Sequence, residues 1–275
     1  MASLSISRAW DETKAILARD GRLIGAVALA LVLLPETVAA VIAPSPELSG
    51  EAAPSWIGVV TIIVALAGMV GQIAIIRLAI GSAISVGEAI VHGLKRLLPG
   101  FAALLLFALP LALVLMVVLI AYVGPAAVES LSAGGPMTDP KLGTAILIFV
   151  LIAFAISVRF QLVMPVTAGE KVGPLAILRR SWELTAGHYL RLLAFLLLAF
   201  VTAIVVLLTA QFMAGILAKA LFGEVKPLSL SALFVALISA VVQTGFVIMV
   251  STMLARIYVQ LSGRGSQASV PSSGT

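Results

Sequence analysis

Six stretches of this chain are each apolar over about 20 residues, the length that a helix needs to cross the hydrocarbon core of a bilayer. The chain is 61% hydrophobic and only 11% charged, and its mean hydropathy is +1.20. A soluble domain is about half apolar and about a quarter charged, so water cannot be the solvent for most of this surface. We therefore predict an all-α integral membrane protein with transmembrane helices at Leu23–Ala43, Trp56–Ile76, Phe101–Val123, Thr144–Val163, Leu190–Met213 and Ala232–Ala255.

Local signals predict where these helices bend or end. Pro35, Pro110 and Pro165 each lack a backbone N–H, so each is expected to kink or end its helix. The fifth apolar run continues to Leu221, and we expect it to tilt or to break near Gly215 into a short surface helix. The first run is longer than the core of a cleavable signal peptide and follows several acids, so we interpret it as a retained helix.

Lysine and arginine residues concentrate in alternate connections, which predicts the orientation of the helices. One side receives Arg8, Lys14, Arg19, Arg22, Arg77, Lys95, Arg96, Arg159, Lys171, Arg179, Arg180, Arg191, Arg256 and Arg264. The other side receives Lys141, Lys219 and Lys226, with the acids Glu47, Glu51, Glu129, Asp139 and Glu224. We therefore predict a multi-pass protein of the bacterial inner membrane with both termini cytoplasmic. The net charge of +5 then reflects topology and attraction to anionic lipid, and we expect no nucleic-acid partner.

A shared order of features recurs at roughly 80–100 residues, a period that indicates internal repetition. In each copy an amphipathic stretch leads to a glycine, two apolar runs and a closing arginine, which is Arg77, Arg159 or Arg256. We predict three parallel repeats of an amphipathic interfacial helix plus a transmembrane hairpin, over about 1–80, 81–165 and 166–262. They form a single six-helix membrane domain over 1–262, followed by a disordered cytoplasmic tail at 263–275. The alternative is that Leu- and Ala-rich helices resemble one another without duplication.

The clearest amphipathic stretch is Pro174–Thr185. Leu175 and Trp182 share an apolar face, and Arg179 and Arg180 lie on the opposite face. An apolar stripe opposite paired arginines is typical of a helix that lies in the headgroup layer of a membrane.

Two further stretches repeat this pattern. The N-terminal one places Trp10 on its apolar face, and the middle one begins with a possible capping box formed by Ser85 and Glu88. We expect each surface helix to be separated from its span by a glycine, at Gly21, Gly100 and Gly187.

The closing arginines and one acid are the main candidate binding groups. The arginines have apolar neighbours on both sides, so together they would form a ring that binds phosphate, or each would extend separately to the headgroups. Glu36 lies well inside a spanning segment and is a candidate intramembrane polar site for a proton or a cation. Alternatively, Glu36 hydrogen-bonds locally in a helix that Pro35 has loosened. The candidate lipid and anion contacts are Arg77, Arg159, Arg256, Arg179, Arg180, Trp10 and Trp182.

Residues that carry catalysis do not form a recognisable pattern. The chain has no cysteine, and its two histidines, His92 and His188, lie on different surface stretches without a paired acid. It contains no phosphate-binding Gly-Lys loop, nucleophile elbow or metal-ligand spacing. We therefore expect no enzymatic activity, no cofactor and no metal site.

The stretch Leu175–Gly187 includes Arg-Ser-Trp-Glu-Leu-Thr, from Arg180 to Thr185, directly before a long apolar span. This pattern resembles the membrane domain attached to some glycerophosphoryl diester phosphodiesterases and to related stand-alone six-helix bacterial proteins. The stretches 159–173 and 87–100 are also similar, so the resemblance covers most of the membrane region. It implies a membrane module alone. In that family the hydrolase is a separate soluble barrel with histidines, carboxylates and a divalent metal, and this chain has no matching positions.

Two functions remain open from the sequence. The first is a non-enzymatic membrane protein that organises lipid, with anionic lipids as partners, or that recruits a protein partner at its basic cytoplasmic face. The alternative is a translocator of a phospholipid-like or other amphiphilic anion, with the three closing arginines at its inner gate and Glu36 further out.

Overall fold

The computed structural model describes residues 4–42, 55–81, 84–125, 140–224 and 229–263, and these residues contain helices and no β-strand. Three predicted features lie outside the described residues: the connections around 43–54 and 126–139, the charges Lys226 and Arg264, and the tail beyond Gly263. The elements are α1 Ile6–Ala28, a π-helical turn Leu29–Leu33, α2 Leu34–Ile42, α3 Ser55–Ala79, α4 Val86–Tyr122, α5 Pro140–Phe160, α6 Val163–Gly169, α7 Pro174–Thr185, α8 Tyr189–Phe222 and α9 Leu230–Leu261.

Six helical segments are long and apolar enough to cross a membrane, which confirms the predicted all-helical multi-pass membrane protein. Several of them are longer than predicted. α8 has 34 residues, a length of about 51 Å compared with about 30 Å of hydrocarbon. It runs unbroken through Gly215, so the predicted break there is wrong. The excess length requires α8 to tilt or to project beyond the hydrocarbon.

The first span is one continuous helix made of α1, the π-helical turn and α2. The predicted boundary at Gly21 is wrong, because Gly21 lies inside α1 with helical geometry. A Cβ on Gly21 would meet no atom within 4 Å, so close packing does not require a glycine at this position. The π-helical turn lies just before Pro35, which cannot donate to the carbonyl four residues earlier. A wider turn is a common way to accommodate such a missing bond, so Pro35 distorts the helix without ending it.

α4 is also continuous, through Pro99, Gly100 and Pro110. The predicted boundary at Gly100 is therefore wrong, and this glycine has a packing role. A Cβ on Gly100 would lie 2.8 Å from Met69 Cε, and a Cβ on Gly93 would lie 2.8 Å from the carbonyl oxygen of Val70. Both glycines allow neighbouring helices to approach α4 closely. The predicted capping box at the start of α4 is confirmed.

α5 ends at Phe160 and α6 begins at Val163, which agrees with the prediction that Pro165 kinks or ends its helix. Pro165 has no N–H to donate to the carbonyl of Gln161, so the helical ladder is interrupted here. At this break the carbonyl of Arg159 accepts a hydrogen bond from Ser181 Oγ at 2.9 Å. The interruption therefore docks α7 against the end of α5.

The third predicted glycine boundary is confirmed between α7 and α8. Thr185 is the last residue of α7, and Gly187 has a φ of +82°. This left-handed conformation favours glycine and breaks the helix before Tyr189 begins α8.

One end of the bundle carries most of the positive charge, and we call the end that contains Arg8, Arg77, Lys95, Arg159 and Arg256 the basic end. Long-range bonds join the helix ends there. Ser5 N donates to Gln260 Oε1 at 3.1 Å, and Arg191 Nη1 donates to the carbonyl of Leu4 at 2.8 Å. The first and last described helices therefore meet at the basic end. The triplicated origin of the hairpins stays a prediction.

The buried core is concentrated toward the basic end. Ile73–Ile76 in α3 and Ser251–Ala255 in α9 are buried on every side of their helices. Further along the spans, Leu109, Leu113 and Leu198 are 62%, 65% and 68% exposed. Such apolar faces are stable against lipid, so these parts of α4 and α8 form the lipid-facing surface.

Candidate functional site

Arg256 is committed to an ion pair within the protein. Its Nε lies 2.7 Å from Glu12 Oε2, and the two side chains are only 18% and 22% exposed. Glu12 also pairs with Arg8 Nε at 2.8 Å. Removing one partner of a mostly buried pair leaves an uncompensated charge, which is strongly destabilising. Arg256 therefore ties α9 to α1 and is not a free guanidinium group.

Arg159 lies between two aromatic rings. Its guanidinium carbon is 5.0 Å from the ring centre of Trp182 and 5.4 Å from that of Tyr189, both within cation–π range. Arg159 Nη1 is buried and has no hydrogen-bond partner among the described residues. The rings hold the guanidinium group in place, and Arg159 as a whole is partly exposed, so it remains a candidate anion contact.

An open pocket of about 480 Å³ lies at the basic end, between the start of α4 and the segment that joins α6 to α7. We call it the lysine pocket; it is lined by Gly87, Glu88, Val91, His92, Lys95 and Lys171. Neither lysine has an ion-pair partner in the part of the chain that the structure describes. The carboxylate of Glu88 accepts hydrogen bonds from Ser85 N and Oγ at 2.8 Å and 3.0 Å. The lysine ammonium groups are therefore available to an external anion.

Further positive charge surrounds this pocket. Arg77, Arg96 and Lys171 are close enough to His92 to act on it electrostatically. Of the three closing arginines, Arg77 adds to the positive charge around His92 without lining the pocket, whereas Arg159 and Arg256 have other partners. The three arginines therefore have different partners, which favours the alternative that each acts separately over a ring that binds phosphate.

Arg96 and His92 hold one wall of the lysine pocket in place. Arg96 donates to the backbone carbonyls of Thr167 and Val172, each at 3.0 Å, and to that of Glu170. His92 Nε2 lies 2.9 Å from the carbonyl of Ala168. A cation is well placed at the carbonyl end of a helix, here α6. Because these bonds fix the backbone on both sides of Lys171, they position that lysine.

Glu170 links three helices at the basic end. Its Oε1 accepts from Tyr258 Oη at 2.8 Å and lies 3.3 Å from Arg180 Nε. Arg180 is therefore partly neutralised within the protein. Arg179 pairs with Glu183 at 2.9 Å on the surface, where its side chain is 83% exposed. Of these two predicted anion contacts, Arg179 is the accessible one.

The two predicted membrane-contact tryptophans are both partly accessible, with Trp10 41% and Trp182 49% exposed. The apolar residues of α7 divide between two surfaces. Leu175 is 72% exposed beside Trp182, whereas Ile177 and Leu184 are buried against the bundle. α7 therefore packs on the protein by one face and presents an apolar edge by another.

Glu36 lies apart from all of these groups. It lines a cavity of about 390 Å³ among the first span, α3, α4 and α9, and none of the three closing arginines lines that cavity. Gln243 Nε2 donates to Glu36 Oε1 at 3.0 Å, which makes Gln243 an interhelical hydrogen-bonding group. Gln72 is a second polar group in the lining.

Neither the pairing of Lys95 with Lys171 nor the bond from Tyr258 to Glu170 was predicted from the sequence. Lys95 and Lys171 belong to different connections, and only the packing of α6 against α4 brings them together. The positive-inside pattern placed both on one side of the membrane but carried no information about their distance. Within the described residues, no three His, Asp or Glu side chains come together to hold a metal ion.

A protein-family model described as "Domain of unknown function (DUF7847)" matches residues 4–261. The chain belongs to the DUF7847 family. The match covers every described helix, so the basic end and the Glu36 cavity both lie within the DUF7847 domain. No curated protein and no solved structure matches the chain.

Proposed function

We propose that this DUF7847 protein is a non-enzymatic protein of the bacterial inner membrane that binds anionic phospholipid at its basic, cytoplasmic end. The observation that carries this proposal is the lysine pocket, where Lys95 and Lys171 line an open space together with Glu88, and neither lysine forms an ion pair within the described residues. A headgroup phosphate suits such a site, because each ammonium offers three hydrogen-bond donors to its oxygens.

The apolar surface near the lysine pocket favours a lipid over a soluble anion as the ligand of that pocket. Trp182 and Leu175 expose an apolar edge on α7 at the same end of the bundle. Helices with such an edge lie at the level of the headgroups, where anionic lipids are concentrated. Arg159, held between its two aromatic neighbours, adds positive charge at this level.

The translocator alternative has less support from the geometry. Translocation needs a path shared by Glu36 and the three closing arginines. None of the three arginines lines the cavity beside Glu36. The resemblance to the glycerophosphoryl diester phosphodiesterase membrane domain stays a prediction, and we propose no hydrolytic activity from it.

Native mass spectrometry of the purified full-length protein tests the proposal. After incubation with equal amounts of phosphatidylglycerol and phosphatidylcholine, wild-type protein should retain phosphatidylglycerol preferentially. The double variant Lys95→Gln/Lys171→Gln should retain it roughly tenfold less, since each exposed charge contributes on the order of 1 kcal/mol toward anionic lipid.

The matched control is Lys14→Gln/Arg179→Gln, which removes the same charge from the same end. Both residues are exposed and already pair with acids, Asp11 and Glu183. This control should retain phosphatidylglycerol as the wild type does. Equal loss in both double variants would show a diffuse charge effect, and no loss in either would refute binding at the lysine pocket.

A further inference from the structure

We propose that the cavity beside Glu36 is a binding site for a lipophilic organic cation, a class that includes hydrophobic amines and phosphonium ions. This site is separate from the lysine pocket, and its ligand has the opposite charge. The proposal rests on the chemistry of the lining, the bonding of Glu36 and the way in which the first span is built around the cavity.

The bonding of Glu36 leaves acceptor capacity unused. A carboxylate has about four acceptor positions on its two oxygens. Gln243 donates to one oxygen, and no other donor reaches Glu36 from the described residues. No lysine, arginine or histidine lines the cavity. A charged carboxylate in such surroundings lacks its usual compensation, which a bound cation would supply.

The remaining lining selects an apolar ligand. It includes Phe101 and Leu104 from α4 and Met69 from α3, with Met164 and Val247 beside them. An aromatic face attracts a cation, and thioethers adapt to irregular apolar shapes. The volume of about 390 Å³ lies at the lower end of the range for sites that hold drug-sized molecules, about 300–1,000 Å³. Inorganic cations need several oxygen ligands, and among the lining side chains only Glu36 and Gln72 carry oxygen, so the lining suits an organic cation better.

The distorted first span forms one side of the cavity. The π-helical turn Leu29–Leu33 precedes Glu36, and both Val32 and Glu36 line the space. Such turns are frequent at functional sites. A Cβ on Gly71 would lie 3.1 Å from both Leu31 Cβ and Val32 Cγ2, so this glycine lets α3 approach the turn. Gln72, the next residue, lies in the lining opposite Glu36.

Binding of radiolabelled tetraphenylphosphonium to the full-length protein in nanodiscs of zwitterionic lipid tests this proposal. Empty nanodiscs correct for partition into the bilayer, and tetraphenylborate provides a probe of the same shape with a negative charge. Wild-type protein should bind the phosphonium saturably and the borate not at all. Glu36→Gln should weaken phosphonium binding roughly tenfold or more, because it removes the compensating charge, and Glu36→Asp should retain most of it.

A cavity-filling variant tests the location without changing any charge. A Cβ at Gly68 meets nothing within 4 Å, and this glycine lines the cavity, so Gly68→Leu should fill the space and abolish binding. Gly58 lies on the same helix, is equally uncrowded and is absent from the lining, so Gly58→Leu should bind as the wild type does. Equal affinity of wild type, Glu36→Gln and Gly68→Leu would overturn the proposal, as would equally tight binding of tetraphenylborate.

Retention of phosphatidylglycerol separates the failure of this proposal from that of the proposed function. Glu36→Gln and Gly68→Leu leave Lys95 and Lys171 unchanged, so both variants should retain the lipid as the wild type does. Loss of the lipid together with the phosphonium would place both effects in one site and contradict the two-site account.

Discussion

Arg96 makes more hydrogen bonds to distant backbone than any other described side chain at the basic end, through its bonds to the carbonyls of Thr167, Glu170 and Val172. A hydrogen bond from a charged donor contributes about 1.5–3 kcal/mol, and bonds that share one donor group are not additive. Arg96→Leu should therefore lower the free energy of unfolding by roughly 3 kcal/mol, which corresponds to a fall in Tm of roughly 10 °C. Thermal unfolding in detergent, followed by circular dichroism, measures this change.

Two variants give this prediction its controls. Arg96→Lys keeps the charge but loses the planar fork that reaches several carbonyls, so its Tm should lie between those of Arg96→Leu and the wild type. Lys95→Gln removes a charge from the adjacent exposed position and should leave Tm unchanged. A Tm for Arg96→Leu equal to that of the wild type would show that these bonds do not stabilise the fold.

Arg96 also shows which contacts at the basic end could not be predicted from the sequence. The spacing of Arg96 and its neighbours indicated a basic helix face, which predicts solvent or headgroup contact. The bonds arise because α6 ends nearby at Gly169, where its last carbonyls have no partner within the helix. The role of Arg96 therefore depends on where another helix ends, at residues that are distant from it along the chain.

At the scale of elements, the contact between α3 and α4 depends on a glycine. A Cβ at Gly93 would lie 2.8 Å from the carbonyl oxygen of Val70, a backbone atom that cannot move aside alone. Gly93→Ala should therefore separate the two helices and lower the free energy of unfolding by about 1–3 kcal/mol. Gly87→Ala on the same helix meets nothing within 4 Å and should be neutral or slightly stabilising.

Unfolding of the two glycine variants in the same detergent distinguishes packing from helix propensity. Alanine favours a helix over glycine at both positions, so a pure propensity effect would stabilise both proteins. Close packing at Gly93 predicts that Gly93→Ala destabilises the protein while Gly87→Ala does not. Equal stabilisation at the two positions would contradict close packing of α3 against α4 at Gly93.

The glycines also explain which element boundaries were predictable. Gly187 ends a helix because it adopts a positive φ after the extended residue Ala186. Gly100 looks the same in the sequence, yet it stays helical because Met69 and Thr167 pack against its missing side chain. A glycine that precedes a long apolar run marks either the end of a helix or a close contact, and only the neighbouring helices decide between the two.

At the scale of the whole molecule, apolar run length and the distribution of positive charge predicted the six membrane helices. Those signals depend on the bilayer and need no knowledge of contacts. The lysine pocket and the Glu36 cavity depend on which helices touch. They could not be predicted, because the apolar residues of a membrane helix are similar on its buried and lipid-facing sides.

Cysteine labelling tests most directly the central claim that the basic end lies in the cytoplasm. The natural chain has no cysteine, so each single substitution gives one reactive site. Ser7 and Gly173 are exposed at the basic end, and Gly143 and Phe222 are exposed near the opposite end. A membrane-impermeant maleimide should label Gly143→Cys and Phe222→Cys in spheroplasts, and should label Ser7→Cys and Gly173→Cys only after lysis. Labelling of Ser7→Cys and Gly173→Cys in intact spheroplasts would place the basic end outside the cell and contradict the account.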